Sequence, residues 1–172
     1  HVLRRRQRQM CIRDSYFNSC IDEDKIAIDQ GINYNKIKMD DENCISITGN
    51  DRIVCYLRNI AYNGIHIWKF CCNKLDINDI IGIAATDNNP EKGYGFQLKG
   101  ITKGFGDDKS RSLVRCMTGD IIKMTLDMND FSLSYEIQGT QFGKDYVISA
   151  KYRAFVRIKN NGCYKLLSYE YK

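Results

Sequence analysis

A chain of 172 residues can bury one sizeable core, and 43% hydrophobic with 27% charged residues describes an ordinary soluble globular protein, not a disordered one. No apolar run approaches the ~18 residues that a spanning helix needs, which sets a membrane partner aside. The net charge of +5 invites a nucleic-acid reading, but Arg4, Arg5, Arg6, Arg8 and Arg13 against Asp14 place +4 of it in the first fifteen residues, leaving +1 for residues 16–172.

That basic segment, HVLRRRQRQMCIRDS, has no hydrophobic periodicity and differs in composition from the Ile-, Asn-, Lys- and Asp-rich remainder. Arg5 to Ser15 resembles the in-frame translation of a transposon-end adapter used in sequencing libraries. Residues 1–15 are therefore set apart from the fold as non-native. A natural basic arm for RNA binding or nuclear import is the competing reading. An adapter-derived start implies that the chain is a fragment whose natural N-terminus, with any upstream domain, is missing.

Residues 16–39 read as an N-terminal extension, in which Tyr16–Gly31 offers a strand only at Lys25–Asp29. Tyr34–Met39 and Cys44–Thr48 alternate briefly on either side of the acidic turn Asp40-Asp41-Glu42-Asn43. Gly49-Asn50-Asp51 is a turn. Arg52–Arg58, RIVCYLR, is rich in β-branched and aromatic residues, as a strand requires. After the Asn63-Gly64 turn comes IHIWKF, with Ile65, Ile67 and Lys69 on one face and His66, Trp68 and Phe70 on the other. Ile80–Ala85, IIGIAA, is a continuous apolar run and reads as a strand buried on both faces. Thr86–Lys92 is a polar loop holding the one proline. Tyr94–Leu98 reads as a strand, and Lys99–Arg111 as a glycine-rich connection.

Gly119–Gly143 is the most orderly stretch. Ile122, Met124 and Leu126 alternate, a polar corner follows at Asp127–Asp130, and Phe131, Leu133, Tyr135 and Ile137 resume the period of two. That is the pattern of an antiparallel hairpin with one buried face. Tyr152–Ile158 and Cys163–Tyr169 close the chain as two strands around Lys159-Asn160-Asn161-Gly162. No window carries a sustained 3.6-residue apolar period, and about a dozen short strands between turns spell an all-β antiparallel sandwich in a single domain.

Several of these strands carry a family resemblance. Asn63-Gly64-Ile65-His66-Ile67-Trp68 is similar to the glycine, histidine and aromatic opening of a SPRY domain. Ile81-Gly82-Ile83-Ala84 resembles that family's V-G-V-A strand. Gly119-Asp120-Ile121-Ile122, Leu126-Asp127, Leu133-Ser134 and Gly139 to Gly143 resemble its G-D-x-I-x-x-x-L-D, T-L-S-F and N-G-x-x-x-G series. Tyr152-Arg153-Ala154-Phe155-Val156 resembles its closing strand. Gln138 departs from the family's usual asparagine before Gly139.

The resemblance covers about residues 40–172 and implies a concanavalin-like, SPRY-like jelly roll of two packed sheets that binds a protein or peptide partner without catalysis. Its setting would be a larger scaffold or a ubiquitin-ligase-type protein. It places the loop after the V-G-V-A-like strand, Thr86–Tyr94, and the turn Arg157–Asn161 near the partner-binding face. The side chains suited to gripping an extended peptide are Asp87, Asn88, Asn89, Tyr94, Arg157 and Asn160, and solvated loop residues are the plain alternative.

Other chemistries fare worse. His1 lies in the basic segment, so only His66 could serve a Cys–His nucleophile, and a histidine on an aromatic strand is better explained by packing. Outside residues 1–15 there are seven cysteines, an odd number with no C-x-x-C, so they read as reduced core residues of an intracellular, cytoplasmic protein. No C-x-x-C or H-x-x-x-H spacing supports zinc, and Asp127-x-Asn129-Asp130 lacks the glycine and distal glutamate of a calcium loop. No metal, cofactor or enzymatic activity is expected. Lys92-Gly93-Tyr94-Gly95-Phe96 resembles the base-stacking strand of an RRM and offers single-stranded RNA binding as an alternative. Gln97 and Lys99 break that motif, and the helices an RRM needs are absent. Carbohydrate binding rests on fold analogy with lectins alone.

Overall fold

The computed structural model describes residues 26–28, 37–39, 44–47, 49, 52–86, 93–104, 107–112, 114–147 and 151–172. Among them there is no helix. The strands are β1 (Ile26–Ile28), β2 (Ile37–Met39), β3 (Cys44–Ile47), β4 (Arg52–Ala61), β5 (Ile65–Lys74), β6 (Ile80–Ala85) and β7 (Gly93–Gln97). They continue with β8 (Ile101–Gly104), β9 (Asp107–Ser112), β10 (Ile121–Asp127), β11 (Ser132–Ile137), β12 (Thr140–Tyr146), β13 (Tyr152–Lys159) and β14 (Cys163–Tyr171).

Two seven-stranded sheets result, ordered β1-β4-β13-β6-β7-β8-β9 (sheet A) and β12-β11-β10-β5-β14-β3-β2 (sheet B), with every pairing antiparallel. The expected antiparallel sandwich is therefore the observed fold. Strands β1 and β2, both within residues 16–39, pair with β4 in sheet A and β3 in sheet B respectively. Residues 1–15 lie outside the described residues. The connection expected at Lys99–Arg111 holds two strands, β8 and β9.

Alternation puts one face of each sheet into a shared core. Ile53, Cys55 and Leu57 of β4, Ile81 and Ile83 of β6, Tyr94 and Phe96 of β7, and Val156 and Ile158 of β13 face it from sheet A. Trp68, Phe70, Ile122, Met124, Leu126, Leu133, Tyr135 and Tyr164 face it from sheet B. Aromatic rings join the layers: Phe96 of sheet A lies 5.6 Å from Tyr135 and 4.9 Å from Phe142 of sheet B, centroid to centroid. Tyr135 also donates from its hydroxyl to the Ile81 carbonyl at 3.4 Å.

The hairpin expected at Gly119–Gly143 is β10–β11, with Leu126 opposite Leu133 and Asp127 opposite Ser132, but Phe131, expected on the buried face, is exposed in the turn with φ of 53°. Its polar corner is a turn closed by its own carboxylates. Asn129 N–H donates to Asp127 Oδ1 at 2.8 Å, and Ser132 Oγ donates to Asp130 Oδ1 at 2.6 Å.

The run Ile80–Ala85 is apolar on both faces because sheet A carries a second cluster on its outer side. Tyr56, Ile80, Ala84 and Phe155 are buried there, with Val54 packed against them. Tyr56 and Phe155 are direct partners across β4 and β13, and their rings lie 6.2 Å apart.

Candidate partner-binding surface

The two loops singled out in the sequence stand at opposite ends of the sandwich. Strand β13 pairs with β6 from Tyr152 opposite Ala85 to Arg157 opposite Ile80. The loop after Ala85 therefore leaves at the Tyr152 end, while Arg157–Asn161 caps the other. Five residues of strand at about 3.4 Å each separate the two ends by roughly 17 Å. Nothing local in the sequence separates the two loops, because the β6–β13 register joins residues 67 to 77 positions apart.

Among the six candidate side chains, Asp87, Asn88 and Asn89 lie outside the described residues, as does Lys92. Tyr94 is in the inter-sheet core at 8% exposure, its ring 6.4 Å from that of Tyr152. Arg157 points the other way, to the outer face of sheet A, where Val54 and Ile80 are its partners on either side. Asn160 sits in the β13–β14 turn with φ of 54°, followed by Asn161 at 62°. Asparagine tolerates this left-handed region better than most residues.

A polar clamp fixes that turn. Asp79, fully buried just before β6, accepts from Lys159 N–H at 2.6 Å, from Asp76 N–H at 2.8 Å and from the Tyr164 hydroxyl. Burial raises the Asp79 carboxylate above its ordinary pKa, and the three donors oppose the shift. Asn160 Nδ2 donates to Asp76 Oδ2 at 2.8 Å, which with Asn78 holds the Asp76 carboxyl below its ordinary pKa. Asn161 Oδ1 accepts from Gly49 N–H at 2.8 Å. Asp76, Asp79 and Gly49 are the partners that sequence reading missed, and the Asp/Asn spacing of Asp76-Ile77-Asn78-Asp79 was the available signal.

The same end carries the segment before β10. Asp120 accepts from Met117 N–H at 2.8 Å and from Gln138 Nε2 at 2.7 Å, so the residue that departs from the SPRY pattern ties two turns together. Around the clamp Ile77 is 59% and Met117 63% exposed, with Val114 also exposed. Arg52, Lys74, Lys99 and Arg115 are exposed at this end as well. The nearby carboxylates among the described residues are committed: Asp79 and Asp120 are buried and Asp76 is hydrogen-bonded. Apolar side chains rimmed by cations make a surface suited to an acidic, partly apolar segment.

The RNA alternative meets a steric obstacle. Tyr94 and Phe96, which would stack bases, are packed between the sheets at 8% and 0% exposure. The glycines of the motif serve the strands instead: a Cβ at Gly93 would stand 2.4 Å from the Ile83 carbonyl oxygen.

His66 is a packed side chain. Its Nε2 lies 2.7 Å from the Asn63 carbonyl, which can only accept, so Nε2 carries the proton and Nδ1 accepts from the Tyr169 hydroxyl at 2.8 Å. Burial lowers the His66 imidazole below its ordinary pKa, against the bond to Asn63. No group of three His, Cys, Asp or Glu side chains among the described residues is placed to hold a metal.

No protein-family model and no curated protein matches the chain. Solved structures do. The SPRY domain of human HERC1 superposes with a TM-score of 0.66 at 16% identity, covering 84% of this chain and 95% of that one. The TRIM65 PSpry domain gives 0.65 at 9% identity, covering 92% and 98%. The chain has the fold of a SPRY domain, a concanavalin-like β-sandwich.

Proposed function

We propose that the chain is a non-catalytic interaction module that holds an acidic, partly apolar segment of a partner protein against the end of the sandwich formed by Arg157–Asn161. The observation that carries this reading is the pinned turn. Asp79, Asp76 and Gly49 N–H fix Lys159, Asn160 and Asn161 beside exposed Ile77 and Met117, so little ordering entropy remains to be lost on binding. The SPRY fold supports the same class of function. Thr86–Tyr94 at the far end, with Tyr94 itself turned into the core, is a second, separate edge for a partner. By resemblance the setting is an intracellular scaffold or ubiquitin-ligase-type protein.

Pull-down with the chain as bait identifies the partner, and binding of its captured segment is then measured against variants. Arg157→Ala with Asn160→Ala is expected to weaken binding about tenfold or more, equivalent to ~1.4 kcal/mol. Asp87→Ala with Asn88→Ala and Asn89→Ala tests the opposite end. Affinity unchanged in both sets would overturn the assignment to these loops.

A further inference from the structure

The outer face of sheet B carries a cysteine cluster. Cys44 of β3 and Cys163 of β14 lie on neighbouring strands, where Cys163 is opposite Ser46 and Lys165 opposite Cys44. The two cysteines are diagonal neighbours on one face, and their Sγ atoms are 2.7 Å apart. The pairing of β14 with β5 shifts register between Cys163 and Tyr164, whereas the pairing of β14 with β3 is unbroken there.

A single amide organises the cluster. Asn73 Nδ2 points at Cys44 Sγ, 3.7 Å away, and at Cys163 Sγ, 4.0 Å away, while its Oδ1 accepts from the Cys71 thiol at 3.2 Å. Lys165 is the register partner of Cys44 on one side and of Cys71 on the other, so a cation shares this face. Cys163 is half-buried and Cys44 is buried at 7% exposure, which gives one thiol to meet a reagent and one to resolve it. The other close pair, Cys72 and Cys116 with sulfurs 3.5 Å apart, is sealed in the core, where the hydrogen bond between them and burial push the Cys72 thiol well up.

We propose that Cys44 and Cys163 form a reversible dithiol–disulfide couple that joins β3 to β14 when the chain meets a low-molecular-weight disulfide. The Cys163 thiolate attacks one sulfur of RS–SR, breaking that bond and releasing RS⁻, which takes up the proton Cys163 lost. The Cys44 thiolate then attacks the Cys163 sulfur, forming the Cys44–Cys163 bond and expelling the second RS⁻, which takes the proton from Cys44. Two cysteine thiols lose two electrons, and RS–SR is reduced to two RSH. About 0.7 Å of sulfur movement takes 2.7 Å to bonding distance.

The test equilibrates the whole chain in buffers of oxidised and reduced glutathione, alkylates remaining thiols, and maps the products by peptide mass spectrometry. The expected result is one intramolecular link between the Cys44 and Cys163 peptides, reversed by dithiothreitol and present in Cys71→Ser. Because the link spans most of the chain, the linked form should also melt about 10 °C higher than the reduced form. Cys163→Ser should leave Cys44 alkylatable at every ratio. A glutathione adduct at Cys163 that never resolves, a link to Cys71 in its place, or both thiols still free in the most oxidising buffer would each overturn the proposal. The mapping uses the unaltered sequence, so it holds even where a variant folds poorly.

Discussion

Tyr164 donates its phenolic proton to the Asp79 carboxylate, and both residues are fully buried. Tyr164 belongs to β14 in sheet B, whereas Asp79 precedes β6 in sheet A, so one hydrogen bond joins the two layers beneath the β13–β14 turn. Burial pushes the Tyr164 hydroxyl well above its ordinary pKa, and the neighbouring Asp79 charge adds to that, so it remains a donor throughout the stable range. Tyr164→Phe removes one donor from a buried carboxylate and should cost about 1–3 kcal/mol. Gly162→Ala attacks the same contact, since its Cβ would stand 2.8 Å from Asp79 Oδ2 and 2.5 Å from Ile158 Cγ2. A loss of about 1–3 kcal/mol is expected there too. Urea denaturation reads both, and an unchanged midpoint in either variant would contradict the clamp.

Two glycines of the SPRY-like pattern should respond very differently to alanine. At Gly82 a Cβ would come within 2.2 Å of the Tyr94 carbonyl oxygen and 2.7 Å of Gly95 Cα, both backbone atoms of the adjoining strand. Strands β6 and β7 must separate to admit it, so Gly82→Ala should cost about 3 kcal/mol. At Gly119 nothing lies within 4 Å, and the only strain is its φ of 93°. Gly119→Ala should cost about 1–2 kcal/mol. Thermal melts of the two variants side by side check the order, and a Gly119 variant less stable than the Gly82 variant would reverse the argument.

Phe96 separates a structural strand from an RNA-binding one. Its ring packs against Tyr135 and Phe142 with no exposure. Phe96→Ala should lower stability by about 3–5 kcal/mol. Salt-dependent binding of single-stranded RNA, lost in this variant while its melting temperature stays put, would instead restore a stacking role.

His66 should impose a pH dependence. Its folded pKa is lowered by burial, so the unfolded chain takes up a proton on this residue at a higher pH than the folded chain does. Its contribution is complete above the unfolded value of about 6.5 and is lost as pH falls through the lower folded value. Urea midpoints should therefore drop more steeply between pH 7.5 and 5.5 in the native chain than in His66→Gln. Parallel slopes would show that His66 does not titrate across unfolding.

The strands were legible where local pattern and burial agree. Met124, Leu126, Leu133 and Tyr135 alternate because one face of the β10–β11 hairpin meets the core, and the Asp127–Asp130 corner announced its turn through its Asx chemistry. IHIWKF sorted its faces correctly for the same reason, with Trp68 and Phe70 inward and Lys69 outward to Glu170 at 3.0 Å. Strands β8 and β9 escaped notice because Lys99–Arg111, with three glycines and several charges, shows no alternation to detect. The candidate surface was less legible. Tyr94 and Arg157 differ in which way their strands present them, and only the pairing of β7, β6 and β13 reveals that one faces the core and the other the outer side. Asp79, which holds the turn, lies 80 residues from the Lys159 amide it accepts from, beyond the reach of any local motif.

The pairing of β1 with β4 and of β2 with β3 bears on where the polypeptide can be cut. A chain begun at residue 40 would lose the edge partner of both sheets at once, leaving β4 and β3 with open rows of amide and carbonyl groups. Such edges are templates for pairing between molecules. The segment that least resembles the family thus supplies one edge strand to each sheet.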